Sequence, residues 1–225
     1  MLISLSELRG WTARNDRPHA ISDLLFDLET RRVVYATVGL SGSKSADALV
    51  AASMLRDPDP ANGTLTMDLG DEDLARAPRW EGDQSELDAM LLAMPPLVVG
   101  PFGGTYAPLA MAAMAKDASD APQEDPRAEA ARERFERLSS WLGKPVFASD
   151  GEVGIVADLL HAFDDNRLDW LVVDNDRFFH HRRRVVPFSA ISHRAPEETG
   201  GHVVLTMSQA EVERAPQVAD MNLGA

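Results

Sequence analysis

There is no cysteine anywhere in the 225 residues, and that single absence removes disulfide scaffolds, thiol nucleophiles, zinc fingers and thiolate-held iron–sulfur clusters. Aromatic residues are scarce, at 6%, which leaves little material for a base-stacking platform. No part of the chain is net basic. Residues 1–80 carry 9 basic and 12 acidic groups, 81–137 carry 5 and 11, and 138–225 carry 8 and 13, which gives a formal charge of −14. Proteins that wrap nucleic acid draw affinity from Lys and Arg against phosphate, so that class is disfavoured and the acidity reads as solubility. The opening MLISLSELRG lacks the basic region and long apolar core of a secretory signal, so a cytoplasmic location is expected.

What the chain does contain is a repeat. DLLFDLETRRVVYATVG at 23–39 aligns with DLLHAFDDNRLDWLVVD at 158–174 at a constant offset of 135, pairing Asp23-Leu24-Leu25 with Asp158-Leu159-Leu160 and Tyr35 with Trp170. Leu5 and Gly10 precede it as Leu138 and Gly143 do, LVAASML at 49–55 answers VVPFSAI at 185–191, and LARAP at 74–78 answers VERAP at 212–216. Ordered matches with small drifts in offset indicate two copies of one unit.

Each copy reads as short strands. LDWLVVD, RVVPF and HVVLTM are β-favouring runs, and alternation places Val153, Ile155 and Ala157 on one face of an earlier strand. Asn62-Gly63 and Gly200-Gly201 fall at equivalent places and suit the positive φ of a hairpin turn. Ser208 and Glu211 have capping-box spacing before a short helix that Pro216 stops, with Gly70 and Asp73 at those places in the first copy. Leu171 and Val173 point to one side of their strand and Trp170 and Val172 to the other, so both faces need cover. A unit of about 80 residues has little core to spare, and curling its sheet into a small barrel hides its edges.

These residues resemble the PRC-barrel family, whose members include the cytoplasmic domain of the photosynthetic reaction-centre H subunit and the carboxy-terminal domain of a ribosome maturation factor. The second copy carries the resemblance in LSSWLGKPVFASDGEVGIVADLL, LDWLVVD, RRVVPFSAI and VVLTM; the first keeps DLLFD, RRVVYATV and ARAP. The first copy lacks a glycine matching Gly154, with Ala20 or Ile21 in its place, and Gly39 replaces the acidic end of LVVD. The resemblance implies a mainly β chain with short helices, built as two PRC-like small barrels related by an approximate twofold rotation. The divergent barrel spans residues 1–80, a partly helical, Pro/Gly-rich connector 81–137, the second barrel 138–218 and a tail 219–225. It implies a noncatalytic docking or assembly module with a protein partner or self-association as a homodimer; nucleic acid and membrane insertion are disfavoured, and no cofactor is implied. An RNA-associated assembly factor and a small acid–base hydrolase are the alternatives.

Candidate sites are few. In the connector, the spacing of Glu133 and Arg137 predicts a helix over PRAEAARERFERLSSWLG that leads directly into the second barrel. Before it, 27 uncharged residues run from 89 to 115, broken by Pro95, Pro96, Pro101 and Pro108. Prolines oppose a membrane helix, so Leu97, Val98, Val99, Phe102 and Tyr106 are expected at a protein interface, between the barrels or in a homodimer, with peripheral membrane attachment the remaining use. The one concentrated basic run, Arg177, Phe178, Phe179, His180, His181, Arg182, Arg183 and Arg184, is a candidate patch for an anion or an acidic partner at a hairpin. Asp164-Asp165-Asn166 lacks the spacing of a calcium loop, and Asp57 and Asp59 lie in a turn. Neither these carboxylates nor His180-His181 form a diagnostic metal or catalytic motif.

Overall fold

The computed structural model describes residues 1–40, 47–77, 79–80, 135–175, 182–195 and 201–224. In chain order the first half comprises β1 (Leu2–Ser4), α1 (Leu5–Leu8), β2 (Thr12–Arg14), β3 (Pro18–Asp27), β4 (Arg32–Gly39), β5 (Asp47–Ala51), β6 (Leu55–Asp59), β7 (Thr64–Met67), α2 (Asp71–Arg76) and β8 (Arg79–Trp80). The second comprises β9 (Phe135–Arg137), α3 (Leu138–Trp141), β10 (Pro145–Ala148), β11 (Gly151–Ala162), β12 (Arg167–Asn175), β13 (Arg182–Pro187), β14 (Ile191–Arg194), β15 (Val203–Leu205) and α4 (Gln209–Arg214). The chain is mainly β, with two sheets.

The sheets share one plan. Strand order β6-β7-β2-β3-β4-β5 in the first is repeated as β14-β15-β10-β11-β12-β13 in the second, with β8 added beside β5. The likeness extends to irregularities. The β3–β4 register slips between Ile21 and Asp23 and between Leu25 and Phe26, and the β11–β12 register slips at the same two places, Val156/Asp158 and Leu160/His161. A bulge inverts the side-chain alternation beyond it. The β10–β11 register slips as well, between Glu152 and Gly154, so alternation fails as a guide here: Val153 and Val156 are buried while Ile155, expected beside Val153, is exposed.

The two sheets exchange their leading strands. β1 pairs with β11 of the second sheet, Leu2 opposite Ala162 and Ser4 opposite Leu160, and β9 pairs with β3 of the first, Leu25 opposite Arg137 and Asp27 opposite Phe135. Of the helix predicted over 126–143, residues 126–134 lie outside the described residues, and residues 135–137 are not helical. Residues 135–137 are extended because the edge of β3 takes their backbone groups, and only the single turn α3 is helical. Ranges that assign residues 2–4 to the first unit and 135–137 to a connector divide the chain across this exchange.

A buried aspartate fastens each exchanged segment. Asp158, in β11, accepts the Ser6 backbone N–H at 2.9 Å, the Ser6 hydroxyl at 2.8 Å and the Ser4 hydroxyl. Its counterpart Asp23 accepts the Ser139 N–H at 3.1 Å and the Ser139 hydroxyl. Each carboxylate serves N–H groups of the other half's first helical turn, donors that have no intrahelical acceptor. Replacing Asp158 with Ala orphans these buried donors; a loss of about 2–3 kcal/mol is expected in urea titration, with Ser6→Ala costing about 1 kcal/mol.

One apolar cluster runs through both halves, from Ile3, Leu24 and Phe26 to Trp141, Leu171 and Val173. Trp141 is its hinge, edge-on to Phe26 with ring centres 5.4 Å apart and stacked on Phe188 at 5.7 Å. The opposite face of the second sheet has its own layer, in which Leu160, Val172 and Val185 lie beneath Leu2, Trp170, Val218, Met221 and Leu223. The expected cover for both sides of β12 is therefore the shared core on one side and β1 with the C-terminal segment on the other. Of the hairpin pairs, Gly63 and Gly201 have positive φ, 59° and 40°, whereas Asn62 does not and Gly200 lies outside the described residues; the cap expectation holds, since Ser208 and Glu211 form a capping box at α4.

The glycine missing from the first copy is replaced by a size exchange between neighbouring strands. Gly154 has φ 139°, and a Cβ there would lie 2.1 Å from the Asp174 carbonyl oxygen. The register gives His19 as its equivalent, since Ala13 faces His19 as Val146 faces Gly154. Opposite, Gly39 stands where Asp174 stands, and the His19 ring donates from Nδ1 to the Gly39 carbonyl at 3.0 Å. The small residue has moved from one strand to its neighbour, and the ring fills the difference. The early hairpin keeps its pairing.

Candidate docking surface

Beyond the C-terminal segment, the second sheet has an outer face with no described layer on it. Its residues are Pro145 and Phe147 of β10, Ile155 of β11, Val204 of β15, His202 just before it, and His193 of β14. Ile155 is 40% exposed, the one large apolar side chain of the exposed class among the described residues. Phe147 meets the His202 ring edge-on at 5.4 Å, and His202 lies 6.5 Å from the His193 ring. Strand pairing explains the alignment: Pro145 faces Ile155, Phe147 faces Val204, and Val204 faces His193.

The first sheet supplies an internal control. Its register sets Thr12, Arg14 and Ala20 where Pro145, Phe147 and Ile155 stand, and Thr64, Thr66 and Arg56 where His202, Val204 and His193 stand. The fold is thus built with a polar face in one copy and an apolar one in the other. The architecture is compatible with either kind of residue at these places.

Beside β14 lies a cleft of about 260 Å³, bordered by Leu28 and Arg31 of the β3–β4 turn, Trp141, Phe188 and the segment Ile191–Arg194. The halves meet here. Arg194 forms an ion pair with Glu136 of β9, both side chains largely buried, and the Ser140 hydroxyl donates to the same carboxylate at 3.1 Å. On the other side of the junction, His161 Nε2–H donates to Asn166 Oδ1 at 2.9 Å. Asn166 Nδ2 donates to the Val33 carbonyl at 3.0 Å and its Oδ1 accepts the Val33 N–H at 3.1 Å. Burial holds the His161 pKa below the usual imidazole value, against the opposing pull of Asn166 and Asp169, so the ring is neutral at pH 7 and acts as a fixed strut.

The basic run divides on inspection. Arg177, Phe178, Phe179, His180 and His181 lie outside the described residues, as do Leu97, Val98, Val99, Phe102 and Tyr106. Arg182 opens β13 opposite Asn175. Arg183 is paired with Asp174 at 3.3 Å. Arg184 donates to the Ala215 carbonyl at 2.8 Å, the C-cap of α4, where a cation complements the carbonyl end of the helix. Two of the three arginines thus have structural partners within the chain. Asp57 and Asp59, expected in a turn, belong instead to β6, where the register with β7 slips between Arg56 and Asp59. Asp59 accepts from Asn62, which lowers its pKa, and Asp164, in the turn after β11, pairs with the Met1 ammonium. Burial raises the Tyr35 pKa to about 12, which keeps the phenol neutral. Among the described residues no group of three His, Asp or Glu is arranged to hold a metal ion, and no helix is long and apolar enough to cross a membrane.

Sequence reasoning missed the outer face, because alternation placed Ile155 on one face with Val153 and gave Phe147 no role. Signals for it existed in the comparison of copies, where Arg14 becomes Phe147 and Ala20 becomes Ile155. Residues 133–208 match the PRC-barrel domain family. No curated protein matches the chain.

Proposed function

We propose that this chain is a noncatalytic protein-binding or assembly module in which two PRC-like units, the first divergent, act as one body and dock a protein partner through the outer face around Ile155 and Phe147. The observation that carries the reading is the contrast at matched positions, polar in one sheet and apolar in the other. Two identical requirements of fold produced two different surfaces, and the difference is left to binding. Shared core and exchanged strands support a rigid presentation of that face, which limits the ordering cost of association.

The test uses the full chain as bait in its native cell, followed by a binding assay with the stoichiometric partner so identified. Ile155→Asp and Phe147→Asp are expected to weaken binding at least thirtyfold, the scale of a central apolar anchor. Ala20→Asp, the matched position on the first sheet, should leave affinity within twofold. Equal affinity of all three variants, each with wild-type thermal stability, would remove this face from the function.

A further inference from the structure

We infer that the cleft between β14 and the β3–β4 turn is a binding site for a carboxylate carried on an apolar body, such as the terminal residue of a polypeptide or a small aliphatic acid. It adjoins the outer face at His193, but neither Ile155 nor Phe147 lines it, so a variant at Arg31 and the variants at Ile155 and Phe147 distinguish the two readings.

The chemistry of the lining points to this class. Arg31, His193 and Arg194 supply three side chains that carry or can take positive charge, and Ser189 and Ser192 supply hydroxyls. No Asp or Glu lines the cleft, in a chain where acidic groups outnumber basic ones by 36 to 22. Glu136, outside the lining, is already committed to Arg194 and Ser140. That pairing engages the Arg194 guanidinium through Nη1 and holds it in place. Arg31 is exposed and sits at φ 55° on the turn, where the Leu168 N–H to Arg31 carbonyl bond of 2.8 Å fixes its backbone. A guanidinium fork recognises a carboxylate through paired donors.

The remaining lining is apolar: Trp141, Phe188, Ile191 and Leu28. These four side chains can therefore cover an aliphatic tail but not a hydrated charge. A fully hydrated inorganic anion gains nothing from such walls, whereas a carboxylate with an aliphatic tail uses both parts. The volume of about 260 Å³ is near the lower end for small-molecule sites, which suits one residue or a short acid.

The experiment titrates the isotope-labelled full chain with N-acetyl-leucine and, separately, N-acetyl-leucinamide, following backbone amide shifts. With the acid, shifts centred on Ser192, His193 and Arg194 are expected at millimolar concentration, weakening with added salt. The amide should bind at least tenfold more weakly. Arg31→Gln, at an exposed turn position that leaves the fold intact, should weaken the acid at least threefold and leave the amide unchanged. A tetrapeptide with a free terminal leucine distinguishes the sources: tighter binding than N-acetyl-leucine assigns the site to a polypeptide terminus, and equal binding to a free acid. Equal shifts from acid and amide, or no shift in the cleft at 20 mM acid, would overturn the inference. So would an Arg31→Gln protein that binds the acid as wild type does.

Discussion

Gly154→Ala is expected to abolish the native second sheet or to destabilise the protein by about 3 kcal/mol or more, the sum of an L-residue strain at positive φ and overpacking against a neighbour. The obstacle is backbone, since the added methyl would sit 2.1 Å from the Asp174 carbonyl oxygen and 3.1 Å from Asn175 Cα. Neither atom can move without breaking the β11–β12 pairing that holds Ile155 opposite Asp174. Gly143→Ala makes the control: its φ is 83°, yet nothing lies within 4 Å of the added Cβ, so it costs only the conformational term of about 1 kcal/mol. Chemical denaturation of both variants separates the two contributions. Equal losses at the two positions would show that the close approach of β12 relaxes freely.

Trp141→Ala carries the second large effect, a loss of about 3–5 kcal/mol. The side chain is 1% exposed and contacts Phe26 of the first half edge-on and Phe188 of the second by stacking. Its location gives the measurement a second reading. Because Trp141 belongs to the turn fastened by Asp23, the loss should appear in both sheets at once. Hydrogen exchange is expected to report one unfolding transition, with amides in β4 and β12 losing protection together. Separate transitions, with β4 unaffected, would show that the halves are independent units that merely touch.

How far the chain could be read in advance depended on whether a feature was local or relational. Asp23-Leu24-Leu25 and Asp158-Leu159-Leu160 announced the repeat because identical local geometry recurs around them, down to the same pair of bulges. A separate slip of the β10–β11 register, between Glu152 and Gly154, defeats alternation for Val153 and Ile155. The spacing of Glu133 and Arg137 fits a helix, but three residues of Phe135–Arg137 are claimed by the edge of β3, a partner more than a hundred positions away. Tertiary pairing overrides propensity in so short a segment. Gly154 and Gly39 were each visible as differences between the copies, yet their compensation appears only once the register sets His19 against Val146's neighbour and Gly39 against Asp174's place. The cleft is more distant still, since Arg31 and Arg194 share it only through the exchange of strands.

That exchange also sets a timetable for synthesis. Ser4 leaves the ribosome early, but its pairing partner Leu160 and its acceptor Asp158 emerge more than 150 residues later. At roughly 5–20 residues per second, the nascent N-terminal strand waits on the order of ten to thirty seconds. β3, in turn, keeps an unpaired edge until residues 135–137 arrive. During that interval the emerging chain presents Leu25 and Phe26, fully buried in the finished protein, to whatever surrounds it. Unpaired strand edges and exposed apolar residues are what holding factors recognise in incomplete chains. Production of this protein should therefore depend on translation speed and on such factors more than its modest size suggests.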